Sequence, residues 1–208
     1  STMPLDKLLT CAPGVADPAT ADRLLFSSVH VVGVGIEGTP PEHLHTKCWM
    51  YFPESHNPYY RVTVFSNYSP HNVARPGEQW SLMAETSQSP DKPVDAASIV
   101  KDTIRALQHD RLLPEGARLA TTVHRLLPQA YPTPFLGRDE VVDPLLDAFE
   151  RHAISSRGRF GAWKYEVGNE DHSFAQGYEW GNRVLAGGTR ADEPTVSTPT
   201  LVNARRNP

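Results

Sequence analysis

Gly158-Arg159-Phe160-Gly161-Ala162-Trp163-Lys164-Tyr165-Glu166-Val167-Gly168-Asn169-Glu170-Asp171-His172-Ser173 reads as a short strand, a glycine turn and the start of a helix. Phe160, Ala162 and Lys164 fall on one strand face, and Arg159, Gly161, Trp163 and Tyr165 on the other. Gly168 is free to take a positive φ and swing the chain sharply toward the helix. Asn169, Asp171 and Ser173 are each competent helix caps. Phe174, Tyr178 and Val184–Leu185 recur at helical spacing, which predicts a helix over 173–185. Gly177 and Gly181 lie one turn apart on it and each costs about 1 kcal/mol against alanine. A neighbour approaching that face closely is the expected reason. A helix start with free N–H groups beside an arginine suits an anionic ligand. An ordinary strand–turn–helix explains the same residues equally well.

Outward from this stretch, the chain alternates short elements with turns, and 19 prolines among 208 residues enforce the breaks. Leu5 to Leu9 forms a helical turn, and Asp17 to Leu25 a helix capped by Asp17 or Thr20. Strands are expected at Val29–Ile36, Lys47–Phe52, Tyr60–Tyr68, Trp80–Thr86 and Leu119–Leu126. Asp95 to Leu107 is an amphipathic helix with Ile99, Val100, Ile104 and Leu107 on one side. Glu140 to Arg151 is a second, with Pro144 near its first turn. The residues after Gly187-Gly188 read as a loosely attached arm.

Gly33-Val34-Gly35-Ile36-Glu37-Gly38 matches the dinucleotide-binding glycine pattern letter for letter. The pattern works only where the glycines turn a strand into a helix. Here Thr39-Pro40-Pro41 follows, so the glycines belong to a sheet strand. The formal charge of −4 gives no basic footprint for nucleic acid. No apolar run approaches the roughly 20 residues of a membrane span. Cys11 and Cys48 form no Cys-x-x-Cys pair and fit a reduced, cytoplasmic setting. His43 and His45 stand without a cysteine or carboxylate to complete a zinc set, so no metal site is expected.

Arg159 to Ser173 resembles the end of the flavin domain in UDP-galactopyranose mutases, in the branch found mainly in fungi and other eukaryotes. Ser1-Thr2-Met3-Pro4, Tyr51-Phe52-Pro53-Glu54, Tyr59 to Pro70 and Ala130-Tyr131-Pro132-Thr133-Pro134 resemble further motifs in that family's order. The likeness runs from Ser1 to about Leu185, and extends in outline to Val202–Asn207.

The resemblance implies an α+β chain, part of an α/β whole. It would have a mixed or antiparallel sheet of about six strands flanked by helices, and a strand–helix unit of a flavin-binding domain. Residues 1–25 would end a flavin-domain strand and link onward, 26–135 form the substrate-side sheet, 136–188 return to the flavin domain, and 189–208 form the arm. The chain would be a C-terminal portion of a longer enzyme, or one working with a separate N-terminal chain or another subunit.

Its reaction would be the exchange of UDP-galactopyranose and UDP-galactofuranose through a flavin–sugar adduct, with FAD active when reduced and NADPH as reductant. FAD would bind only with the missing N-terminal part. By resemblance Arg61 grips the substrate diphosphate, Tyr68 and Tyr51 line its pocket, Tyr131 and Tyr165 hydrogen-bond the diphosphate, and Asn169 lies near sugar and flavin. Arg159 would sit beside the flavin ring, and Gly168, Glu170 and Ser173 near its ribityl chain and pyrophosphate. Glutamine often stands in the family where this chain has Glu170, whose charge would repel a pyrophosphate unless it points away. From spacing alone, an exposed Arg61 paired with a surface carboxylate is the favoured reading. A flavin amine-oxidase-like oxidoreductase and a non-catalytic nucleotide-sugar-binding or assembly module are the alternatives.

Overall fold

The computed structural model describes residues 1–199 and 202, so the tail motif at 203–207 lies outside the described residues. The chain divides into two units: residues 1–26 with the segment from 131 onward, and residues 27–130.

The unit of residues 27–130 is built on a five-stranded sheet. Its strands are β1 (Phe26–Glu37), β2 (Trp49–Tyr51), β3 (Arg61–Val64), β4 (Gln79–Gln88) and β5 (Leu119–Pro132), in the order β2-β3-β4-β1-β5. β1, β4, β3 and β2 pair antiparallel in turn. Alternation along the strands sends Val32, Val34, Ile36, Val62, Val64, Leu82 and Ala84 to one face, where all are buried. There they meet Ile99, Ala106 and Leu107, three residues of a helix over Ile99–His109. Each large aliphatic side chain so buried contributes roughly 1.5–3 kcal/mol. Gly33 and Gly35 lie inside β1, and Gly38 takes φ +93 in the turn after it. The glycine pattern is thus a strand and a turn, as its sequel of prolines implied.

In the unit holding both ends of the chain, short helices surround a second core. They are α1 (Leu5–Cys11), α3 (Arg138–Arg151), α4 (Glu170–Ala186) and α5 (Pro194–Ser197), with α2 being the Ile99–His109 helix of the other unit. Leu5, Leu9, Val142, Leu146, Phe149, Trp163 and Val196 pack together. The Asp17–Leu25 segment forms a 3₁₀ turn over Pro18–Arg23, and Asp17 caps it by accepting from the Ala19 N–H at 2.9 Å. α3 starts earlier than expected, which leaves Pro144 in its interior and not in its first turn.

Three local expectations fail here. The sheet has five strands where about six were expected, and the separate strand expected at 158–165 does not form: the chain there makes successive turns and then a 3₁₀ turn over Tyr165–Val167. Burial overrides the alternation. Trp163 is fully buried, donates its indole N–H to Leu25 O at 3.1 Å and adopts φ +51, which a strand cannot accommodate. A Cβ on Gly161 would stand 2.1 Å from Arg157 O, so the glycine permits a close backbone crossing. Second, α4 turns a polar face inward: Gln176 accepts from Gly158 N at 2.6 Å and donates to Val167 O at 3.1 Å. Its apolar stripe points out, with Phe174 78%, Tyr178 65% and Leu185 88% exposed. Among the described residues nothing lies within 4 Å of a Cβ built on Gly177 or Gly181, so the expected close neighbour is absent. Third, residues 189–197 are not loosely attached. Glu193 is fully buried and binds Arg157 and Arg183, and Val196 sits in the core.

Candidate functional site

In the sheet unit the candidate residues share the face opposite α2. Register places Tyr51, Arg61 and Glu85 in one row across β2, β3 and β4, with Val31 of β1 beside them. The next row is Trp49, Thr63, Met83 and Gly33. Arg61 forks onto Glu85: Nε donates to Oε1 at 3.1 Å, and Nη2 to Oε1 at 2.8 Å and Oε2 at 2.7 Å. The Tyr60 hydroxyl donates to the same carboxylate at 2.7 Å. The guanidinium carbon lies 5.9 Å from the centre of the Tyr51 ring and 5.7 Å from that of Tyr60, within cation–π range. The arginine that sequence singled out is therefore charge-paired and flanked by aromatic rings.

Tyr68 follows β3 after one 3₁₀ turn and meets Trp49 edge-on at 5.5 Å and Phe65 at 5.7 Å. Loss of hydration raises its phenol pKa above the ordinary value, so at neutral pH the hydroxyl stays a neutral donor. The same unit carries an open depression of about 800 Å³, lined by Gly33, Gly35, Phe65, Asn72, Met83 and Thr121 among others. Glycines at 33 and 35 keep that part of the sheet free of side chains. A Cβ at Gly35 would also approach Thr121 Cγ2 to 3.0 Å.

In the other unit, Tyr131, Tyr165, Arg159 and Gly168 come together. Tyr131 ends β5 and meets the Tyr165 ring edge-on at 5.9 Å. The Arg159 guanidinium sits over the Tyr131 ring at 4.9 Å, and its Nε donates to Gly168 O at 2.6 Å. Gly168 has φ −101, so its role is not the positive φ expected from sequence. A Cβ there would lie 3.1 Å from Arg159 Cγ, and closeness to the arginine is the reason for glycine. Asn169 caps α4 through its backbone: Ser173 N and Oγ both donate to Asn169 O, at 2.9 and 3.0 Å. Asn169 and Glu170 are exposed. His172, in the first turn of α4, is 3% exposed, and neither ring nitrogen makes a hydrogen bond of ordinary geometry among the described residues.

Sequence reasoning missed the groups that hold these residues. Glu85 is one. Arg138 is another, since its two Nη atoms grip the Glu166 carboxylate at 2.7 Å each and so fix the 165–167 turn. Burial acts to raise the Glu166 pKa, but the hydrogen bonds from Arg138 outweigh it and hold the carboxyl below the usual range. No local pattern announces either pairing, because Arg61 and Glu85, and Arg138 and Glu166, meet only through the fold.

Solved structures share this architecture. The crystal structure of reduced UDP-galactopyranose mutase matches 98% of this chain with a TM-score of 0.90 and 44% sequence identity. This chain spans 44% of the length of that protein. A protein assigned as a protoporphyrinogen oxidase from Exiguobacterium matches 72% of the chain at a TM-score of 0.55 and 11% identity, which shows a shared fold alone. No protein-family model matches the sequence.

Proposed function

We propose that this chain, a relative of UDP-galactopyranose mutase over nearly its whole length, supplies the UDP-sugar-binding residues of such an isomerase. The whole enzyme would interconvert UDP-galactopyranose and UDP-galactofuranose in the cytoplasm. The observation that carries the reading is the 44% identity at a TM-score of 0.90. Arg61, whose Nε and Nη2 are held by Glu85 and which Tyr51 and Tyr60 flank, would present the other edge of its planar guanidinium to diphosphate oxygens. Tyr51 and Tyr68 line that part of the substrate, Tyr131 and Tyr165 donate hydroxyls to the diphosphate, and Asn169 approaches the sugar.

The family's FAD fits what this chain offers at the start of α4. The N-terminal end of α4, the ring of buried His172, which makes no hydrogen bond of ordinary geometry among the described residues, and the glycine at 168 suit a bound anionic cofactor. Arg159, Gly168, Asn169, Glu170 and Ser173 would hold it. Reduced by NADPH, it supplies the nucleophile of the exchange when bound. Arg159 keeps a cation near the ring and Asn169 positions the sugar. The exposed carboxylate of Glu170 can point to solvent, which removes the repulsion its charge would otherwise bring. The remainder of the mutase is the partner that completes flavin binding, and we assign it to the uncovered α4 stripe of Phe174, Tyr178 and Leu185. The unpaired Cys11 and Cys48 agree with a reducing compartment. No helix among the described residues is long and apolar enough to cross a membrane.

The test uses the whole enzyme carrying Arg61→Lys. Lysine keeps a positive charge beside Glu85 but cannot fork, so UDP affinity should fall by about tenfold or more while the fold is retained. Unchanged UDP affinity removes Arg61 from the site. Absence of UDP-galactofuranose formation by the unmodified whole enzyme would overturn the activity itself.

A further inference from the structure

Away from every residue assigned above, the loop after β2 and the C-terminal end of α2 bring two histidines and an aspartate together. Asp110 is the C-cap of α2, and His109 is the last residue of that helix. Its Nδ1 lies 3.0 Å from Asp110 Oδ1. From the loop, His56 Nε2 reaches the same oxygen at 3.6 Å, and the two imidazoles stand 5.0 Å apart at 69°. One ligand atom from each residue falls within 4.8 Å of the others. Four-coordinate zinc with bonds of about 2.0–2.1 Å needs ligand atoms about 3.3 Å apart, and the spacings to Asp110 bracket that value.

Further observations point to a ligand here. Asp110 is oriented from behind, because the hydroxyl of Tyr59, which is 1% exposed, donates to its other oxygen at 2.6 Å. A carboxylate fixed by a buried hydrogen bond while its second oxygen faces two imidazoles is how outer groups aim a metal ligand. Asn57, 9% exposed, also approaches Asp110, but its side chain makes no hydrogen bond of ordinary geometry among the described residues. It lines the same open depression of about 590 Å³ as His56 and His109. Arg105 also lines the depression, with Nη1 3.4 Å from Asp102 Oδ1, which offsets its charge.

We propose that His56, His109 and Asp110 bind one divalent transition-metal ion of the zinc class. Two imidazoles and one carboxylate favour zinc, cobalt, nickel or copper over calcium and magnesium, which take oxygen ligands. Three protein ligands leave coordination positions open to water. The ion would tie the 54–58 loop to the end of α2, a cross-link between residues far apart in sequence, and so restrict the unfolded chain. The inference does not depend on the mutase reading.

The experiment takes the untagged 208-residue chain, stripped by a chelator, and titrates it with Co²⁺ by visible absorbance, then with Zn²⁺ in competition. One Co²⁺ per chain, displaced by Zn²⁺, is expected, with a melting temperature raised by Zn²⁺ and not by Mg²⁺. His56→Ala and His109→Ala should each weaken binding at least about tenfold. Both rings are more than half exposed, so neither change disturbs the core. His43→Ala should leave binding intact. Failure to bind one equivalent, undiminished binding in either ligand variant, or equal loss in His43→Ala overturns the proposal.

Discussion

Replacing Arg61 by alanine should do more to the protein than weaken a ligand. The pair it belongs to is largely shielded, with 21% of the Arg61 side chain and 8% of the Glu85 side chain exposed. Three N···O contacts of 3.1, 2.8 and 2.7 Å disappear, and the Glu85 carboxylate is left facing the Tyr60 hydroxyl. Breaking one side of a buried pair costs about 3–5 kcal/mol, because the remaining charge stays desolvated without its partner. Water reaching the one-fifth-exposed guanidinium site screens part of this, so about 2–3 kcal/mol is expected. Glu85→Gln in the Arg61→Ala background removes the stranded charge and should recover about 1–2 kcal/mol. Chemical denaturation of the four members of this double-mutant cycle, followed by circular dichroism, gives the coupling directly. If Arg61→Ala lies within about 0.5 kcal/mol of the parent, as an ordinary surface change would, the pairing carries no weight. The same conclusion holds if the double variant is no more stable than Arg61→Ala alone. Lysine, not alanine, is accordingly the clean probe of UDP binding: it spares Glu85 while removing the fork.

Glu193→Ala should destabilise the protein by about 3–5 kcal/mol, since it strips the fully buried acceptor from Arg157 and Arg183; a denaturation midpoint unmoved by the change would contradict the anchored C-terminal segment. The pH dependence of stability has a definite sign. Burial acts to raise Glu150 and Glu166, but hydrogen bonds outweigh it, led by Arg157 for Glu150 and Arg138 for Glu166, and both pKa values lie below the ordinary 4.5. Their contribution is therefore complete above about pH 4.5 and is lost as pH falls through the folded-state values. Acid titration of the melting temperature should show the fall below that point in the parent, and a shallower fall in Arg138→Met. Equal slopes would exclude the Arg138–Glu166 pair as a source.

Elements whose burial has a simple period are legible in the residues alone. β1 alternates along its second half, α2 carries an apolar face, and the prolines after Gly38 are enough to rule out a dinucleotide turn. The family likeness is legible too, because Arg61, Tyr131 and Tyr165 sit in contiguous motifs. Features that depend on partners distant in the chain are settled by tertiary packing. Trp163 is pulled into a core of helices, so a segment that alternates like a strand becomes a series of turns. Gln176 binds backbone groups of the 158 and 167 turns, so α4 faces inward with its polar side and leaves its apolar stripe exposed. Glu85 meets Arg61 through strand register, Glu193 meets Arg157 across 36 residues, and His56 meets His109 and Asp110 through a loop folded onto a helix end. Periodicity reports which face a residue occupies. It carries no information on which distant charge, ring or carbonyl will be waiting there, and desolvation makes that pairing decide whether a buried polar group stabilises or destabilises the fold.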